Sequence, residues 1–167
     1  MNSKKRAKII NDPIYGFIDI DKGIINDLIN HKYFQRVRRI SQLGLSYLVY
    51  PGAQHTRFQH AIGSLHLMNK ALIQLENKGH KISKSEKEGV KIAILLHDIG
   101  HCPFSHALER IIVKDINHEQ LTLIYMHKLN EEFNGKLSLA IKIFENKYEK
   151  KFLNQLVSSQ LDMDRLD

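Results

Sequence analysis

With 167 residues, 43% of them hydrophobic, the chain is long enough for one domain with a packed core and too apolar for intrinsic disorder. Lys and Arg number 25 against 18 Asp and Glu, and the formal charge of +7 favours an anionic partner such as a nucleotide, nucleic acid or membrane surface, although solvated surface lysines give the same balance. The single Cys102 excludes an intrachain disulfide and a thiolate zinc cage and fits a reducing, cytoplasmic setting, while no apolar run nears the ~20 residues of a membrane span.

In chain order, Ala7-Lys8-Ile9-Ile10 and Phe17-Ile18-Asp19-Ile20 flank Asn11-Asp12-Pro13-Ile14-Tyr15-Gly16, whose Asp-Pro and Gly punctuation predicts a β-hairpin. Tyr47-Leu48-Val49-Tyr50 is the other strand candidate. From Gly23 the apolar spacing turns helical, through Ile24, Ile25, Leu28 and Ile29 and then Phe34, Val37 and Ile40. Gln35, Arg36, Arg38 and Arg39 fill the remaining faces, normally a solvated surface but also a set that can hold phosphate. Pro51-Gly52-Ala53 breaks the chain before a long helix predicted over 57–75, with His60 near its start. Ser83-x-x-Glu86 reads as a capping box for a helix over 84–97. Further helices are predicted over 118–133, 137–144 and 150–164, so the expected fold is mainly α, a helical bundle with a short N-terminal β-hairpin.

The chemistry concentrates in His97-Asp98-Ile99-Gly100-His101-Cys102-Pro103-Phe104-Ser105-His106, directly after the apolar run from Val90 to Leu96. A buried helix would thus deliver metal-capable groups at its C-terminal end, where Gly100 offers a helix-ending position and Pro103 blocks continuation. A divalent ion held by imidazoles and carboxylates needs donors at roughly 2.0–2.2 Å from several chain segments. Successive helix side chains diverge by about 100°, so His97 and Asp98 share an ion only against the helix end and other segments must close the shell. His60 and an aspartate of the terminal cluster Asp162, Asp164 and Asp167 are the candidates. An adjacent His-Asp pair alone is weak evidence, and a lone His60 is more often a packed core side chain. His101, His106 and His118 nearby in sequence tip the balance to a metal or catalytic site. The abrupt stop after that acidic cluster leads us to expect that residues 1–167 are one domain, the N-terminal part of a longer protein.

The ordered set Asp12-Pro13-Ile14-Tyr15-Gly16, Phe34-Gln35-Arg36-Val37-Arg38, Gln42-Leu43-Gly44, Pro51-Gly52-Ala53-x-His55-x-Arg57-Phe58-x-His60, His97-Asp98-Ile99-Gly100-His101-x-Pro103-Phe104-Ser105-His106, His118-Glu119-Gln120 and Asp162-Met163-Asp164-Arg165-Leu166-Asp167 resembles the HD-domain phosphohydrolases. Within them it is most similar to the deoxynucleoside triphosphate triphosphohydrolase branch, which includes bacterial dGTPases and the vertebrate sterile-alpha-motif and HD-domain enzyme. The resemblance implies an HD-domain bundle binding one divalent metal through His60, His97, Asp98 and Asp164. Two His and two Asp suit manganese, iron, zinc or nickel better than magnesium, which favours more oxygen.

The resemblance further places His101, His106 and His118 around the phosphates, with His118 as general acid and Glu109 as its supporting acid. Histidine is apt because its ordinary pKa, about 6.5, lets it exchange protons near neutrality. Arg57 and Arg165 are implied as phosphate contacts and Gln42 as the reader of the sugar. Gln35 and Arg38 match positions that bind an activating guanine nucleotide in the vertebrate enzyme, but Asn30 stands where that enzyme has Asp, so this activation is not expected. The implied reaction is hydrolysis of a deoxynucleoside triphosphate to deoxynucleoside and triphosphate, by water attack on the α-phosphorus. The longer protein would form a homo-oligomer. The alternatives are another nucleotide phosphohydrolase, acting on a monophosphate or a guanosine alarmone, and a nucleic-acid-binding module with an inactive HD site.

Overall fold

Asp12 starts the fold by folding its side chain onto its own turn. One carboxylate oxygen accepts the N–H groups of Ile14 at 2.8 Å and Tyr15 at 3.0 Å, and Gly16, at φ 73°, supplies the left-handed residue that closes the loop. Strands β1 (Lys8–Asp12) and β2 (Gly16–Ile20) therefore pair antiparallel, from Lys8 opposite Ile20 to Asp12 opposite Gly16. Alternation sends Ile18 and Ile20 inward and leaves Phe17 exposed. This is the expected hairpin, extended toward its turn. The computed structural model describes residues 8–104 and 116–167.

The second strand candidate is corrected. Ser46–Leu48 forms a 3-10 turn, with Leu48, Val49 and Tyr50 exposed. The N–H groups of Leu48, Val49 and Tyr50 donate to carbonyls of Leu45 and Ser46 within 3.1 Å, so local bonds replace the ladder that a strand would need. Before it, helices α1 (Ile24–Asn30) and α2 (Lys32–Gln35) and the 3-10 turn Arg36–Arg39 bury the expected Ile24, Ile25, Leu28, Ile29, Phe34 and Val37.

Three longer helices each begin with a capping box, in which side chains and backbone N–H groups of the first turn satisfy one another. They are α3 (Arg57–Asn77, Thr56 with Gln59), α4 (Lys84–Leu96, Ser83 with Glu86) and α5 (His118–Glu132, Asn117 with Gln120). Helix α4 lies at the centre. It buries Val90, Ile92, Ala93, Ile94, Leu95 and Leu96, and it packs on α3 and on α6 (Ser138–Phe144). Its capping Glu86 is also bound by the Tyr148 hydroxyl at 2.8 Å and the Lys150 ammonium at 2.9 Å.

The last helix is shorter than expected. Helix α7 spans Lys151–Gln155, and the chain then makes turns organised by the buried Asp162, whose carboxylate accepts the N–H of Ser159 at 2.5 Å and of Arg165 at 2.8 Å. These bonds compete with helix continuation and fold Asp164 back toward α3. Among the described residues the fold thus has seven α-helices and one hairpin, and no helix is long and apolar enough to cross a membrane.

Candidate metal centre

The first turn of α3 and the end of α4 carry the central groups. His60 Nε2 lies 3.2 Å from His97 Nε2, and Asp164 Oδ1 lies 2.8 Å from the first and 3.2 Å from the second. These three residues, two of them buried, form a cluster able to hold a metal ion. Donors bound at roughly 2.0–2.2 Å to one ion sit about 3 Å from each other, which is the spacing of this triangle.

The outer nitrogens of both imidazoles support that use. His97 Nδ1 donates to the Ile94 carbonyl oxygen at 2.6 Å. His60 Nδ1 lies 2.9 Å from Asp167 Oδ2. A carbonyl and a carboxylate only accept, so each ring carries a proton on Nδ1, and with a cation bound its Nε2 would turn a lone pair toward the cluster, the arrangement of a metal-binding histidine with a fixed tautomer.

The charges agree. Burial alone would lower the pKa of His60, but hydrogen bonds to Asp164 and Asp167 and the charges of Asp98 and Asp164 raise it to about 9. His97 follows the same logic: burial opposes its charge, and Asp98 and Asp164 outweigh burial and raise it. Burial pushes the Asp164 carboxyl up, and bonds from both imidazoles hold it far below the usual carboxylate range. The site therefore attracts positive charge, whether protons or a cation. A divalent ion satisfies the two Nε2 atoms and the carboxylate together.

Asp98 stands beside the cluster. Its Oδ1 is 3.6 Å from His97 Nε2 and 3.4 Å from His101 Nε2, while Oδ2 takes a hydrogen bond from the buried Arg57 guanidinium. Burial disfavours its charge, but His97, Arg57 and His101 lower its pKa below the ordinary value. Arg57 also reaches the Gln42 carbonyl at 3.5 Å, so Gln42, Arg57 and Asp98 form one connected line. The His101 and His118 rings stack with centroids 4.1 Å apart, at 16°. A cavity of about 400 Å³ opens here, lined by His97, Asp98, His118, Glu119 and Asp164 among others. Arg165 is exposed, with its backbone N–H tied to Asp162. His106 and Glu109 lie outside the described residues.

Sequence reasoning missed several supports. Arg36, read as solvated surface or a phosphate holder, donates to the carbonyls of Ile99 and of His101, the latter at 2.8 Å, and so braces the loop after α4. Gly100 works by close approach: a Cβ there would stand 2.2 Å from the His118 carbonyl oxygen and 2.4 Å from the Thr122 nitrogen. Asp162 shapes the turn that carries Asp164, and Asp167 holds His60. The presence of three aspartates was visible, but nothing local divided their labour.

A helical bundle whose two central helices present histidines to a carboxylate from a distant turn defines a metal-binding domain of the HD type. Residues 57–165 match the HD domain family, and the chain belongs to it. A crystallised phosphohydrolase from Bacteroides thetaiotaomicron superposes with a TM-score of 0.94 at 59% identity, over 97% of this chain and 40% of that one. The chain is 33% identical to the uncharacterized protein YwfO of Bacillus subtilis, over 96% of its own length and 38% of the relative's. It is 32% identical to the deoxynucleoside triphosphate triphosphohydrolase SAMHD1 homolog of Dictyostelium discoideum, over 99% of its own length and 36% of the relative's. The chain thus spans well under half the length of these relatives.

Proposed function

We propose that the protein is a metal-dependent phosphohydrolase that converts a deoxynucleoside triphosphate to the deoxynucleoside and triphosphate. The observation that carries this reading is the triangle of His60, His97 and Asp164 at the edge of a cavity that also reaches His118. Relatives named as deoxynucleoside triphosphate triphosphohydrolases, in Dictyostelium discoideum and Bos taurus, favour this substrate class.

In this reading His60, His97 and Asp164, with Asp98 adjoining, hold one divalent ion of manganese, iron, zinc, nickel or magnesium. When bound, such an ion supplies Lewis-acid stabilisation of a phosphoryl oxygen, worth several kcal/mol. The protein's own groups do the rest. Water adds to the α-phosphorus, the bond from phosphorus to O5′ breaks, and the leaving O5′ takes a proton from His118. His101, stacked on His118, lines the phosphates, and Arg57 and Arg165 offset their charge. Gln42 reads the sugar. His106 and Glu109 complete the proton-handling set. A homo-oligomeric, cytoplasmic protein is part of this proposal.

Product analysis tests it. The full-length protein with Mn²⁺ is expected to release triphosphate and deoxynucleoside from a deoxynucleoside triphosphate, and His97→Ala is expected to abolish turnover. Release of phosphate or pyrophosphate would favour another nucleotide phosphohydrolase. No metal-dependent turnover, with nucleic-acid binding that falls steeply with salt, would favour a binding module.

A further inference from the structure

We infer that Asp167 is a positioning residue of the metal centre, seated against Gly63 and bonded to His60 of α3, and that the hairpin turn packed on α3 through Tyr15 helps to set the geometry of the centre. This rests on the reading of His60, His97 and Asp164 as metal donors. Three observations carry it.

The first is the bond itself. Asp167 Oδ2 faces His60 Nδ1 at 2.9 Å, and its side chain is only 9% exposed although the residue as a whole is exposed. Fixing the proton on Nδ1 leaves His60 Nε2 free to donate its lone pair, so the carboxylate sets both ring orientation and basicity.

The second is clearance. Gly63 lies on α3 close to one turn beyond His60, and a Cβ on it would stand 1.9 Å from Asp167 Oδ1 and 2.7 Å from Asp167 Cγ. The carboxylate occupies the space that any other side chain at position 63 would fill. Glycine is unfavourable inside a helix. At this position it gives the carboxylate access to the helix surface.

The third is the anchor. Burial, with the neighbouring Asp167 and Asp12 carboxylates, pushes the pKa of the Tyr15 phenol up to about 12. Tyr15 is itself held twice. Its N–H bonds to Asp12 at 3.0 Å, and its ring packs on His66 of α3 at 5.1 Å between centroids. The turn made by Asp12 thus holds Tyr15 against α3 on the side where Asp167 presents an acceptor to His60.

The experiment measures Mn²⁺ affinity of the full-length protein by electron paramagnetic resonance, beside the thermal midpoint of the metal-free form. Asp167→Ala and Gly63→Ala are expected to weaken Mn²⁺ binding about 10–100-fold. Asp167→Asn keeps an acceptor oxygen and is expected to fall between wild type and Asp167→Ala, and Tyr15→Phe to lose a few-fold, both with little change in the metal-free midpoint. Asp167→Ala binding within about twofold of wild type would overturn the inference, since loss of an orienting partner has a larger effect. So would affinity losses that merely track losses of midpoint. If Asp167→Ala and Gly63→Ala do not fold, unchanged affinity in Asp167→Asn and Tyr15→Phe overturns it. If wild type and His97→Ala alike bind no Mn²⁺, the metal reading fails and this inference with it. That outcome is distinct from a metal-binding wild type whose Asp167 variants match it.

Discussion

The hydroxyl of Thr122 donates to the carbonyl oxygen of His97 at 3.0 Å while accepting the N–H of Gly100 at 3.0 Å. A fully buried side chain of α5 thereby closes the end of α4 at the candidate metal centre. Carbonyls in the last turn of a helix have no intrahelical partner, and this hydroxyl satisfies one of them. Thr122→Val keeps the shape and removes both bonds. We expect a loss of about 1–3 kcal/mol in denaturant unfolding, because two buried backbone groups are left unpaired. An unfolding midpoint equal to that of wild type would show that the bonds contribute nothing.

Gly100→Ala is expected to be worse. The added methyl would meet backbone atoms of His118 and Thr122 at 2.2 and 2.4 Å, and neither can rotate away. Overpacking of this kind typically costs about 1–3 kcal/mol, and rigid neighbours push it to the upper end. The variant should show a lowered thermal midpoint and displaced His101–His118 stacking, visible as chemical-shift changes in both rings. Alanine tolerated with neither change would contradict the contact.

Arg57 and Asp98 form a nearly buried ion pair, with side chains 4% and 13% exposed. Arg57→Met would strand the carboxylate without its guanidinium, at a cost of about 3–5 kcal/mol. Adding Asp98→Asn should recover much of that loss, because the uncompensated charge is gone. A double-mutant cycle in chemical denaturation measures the coupling, and strict additivity of the two changes would refute it.

How much of this was legible beforehand depends on the range of the interaction. Thr56 with Gln59 and Ser83 with Glu86 are local, and the helices they open were readable from spacing, the second with its capping box. The convergence of His60, His97 and Asp164 spans 104 residues, and no local pattern encodes it. Residue chemistry suggested His60 and an aspartate of the terminal cluster, and the resemblance to one family singled out Asp164. Two elements misled for physical reasons. Val49 and Tyr50 favour a strand, but their N–H groups bond the Ser46 carbonyl instead of a neighbouring strand. The periodicity over 150–164 is overridden once Asp162 bonds the N–H groups of Ser159 and Arg165. Asp167 was invisible as a support because its role depends on an absent side chain at Gly63.

Acid should weaken the junction of α4 with the segment before α7. Burial pushes the Glu86 carboxyl up, but hydrogen bonds from Lys150, Ser83 and Tyr148 outweigh it and hold its pKa at about 2, against an ordinary 4.5. With the folded value below the unfolded one, this stabilisation is complete above about pH 4.5 and is lost as pH falls toward about 2. Glu86→Gln should flatten the dependence of stability on pH across that window. An unaltered slope in the variant would assign the acid sensitivity to other groups.

Removing metal should destabilise the protein by mass action. At a free ion concentration 100 times its Kd, an ion bound only by the folded state contributes about 2.7 kcal/mol. A chelator should therefore lower the thermal midpoint of wild type and leave that of His97→Ala nearly unmoved. Equal shifts in both would place the bound ion elsewhere.

His60 and Asp164 stand at opposite ends of most of the described chain, 104 positions apart. A ribosome must release His60 through Asp164 before both groups exist outside the exit tunnel, so a pocket built on this triangle would close only after most of the described helices have emerged. An ion taken up there would therefore be selected by a largely emerged bundle and not by a short peptide.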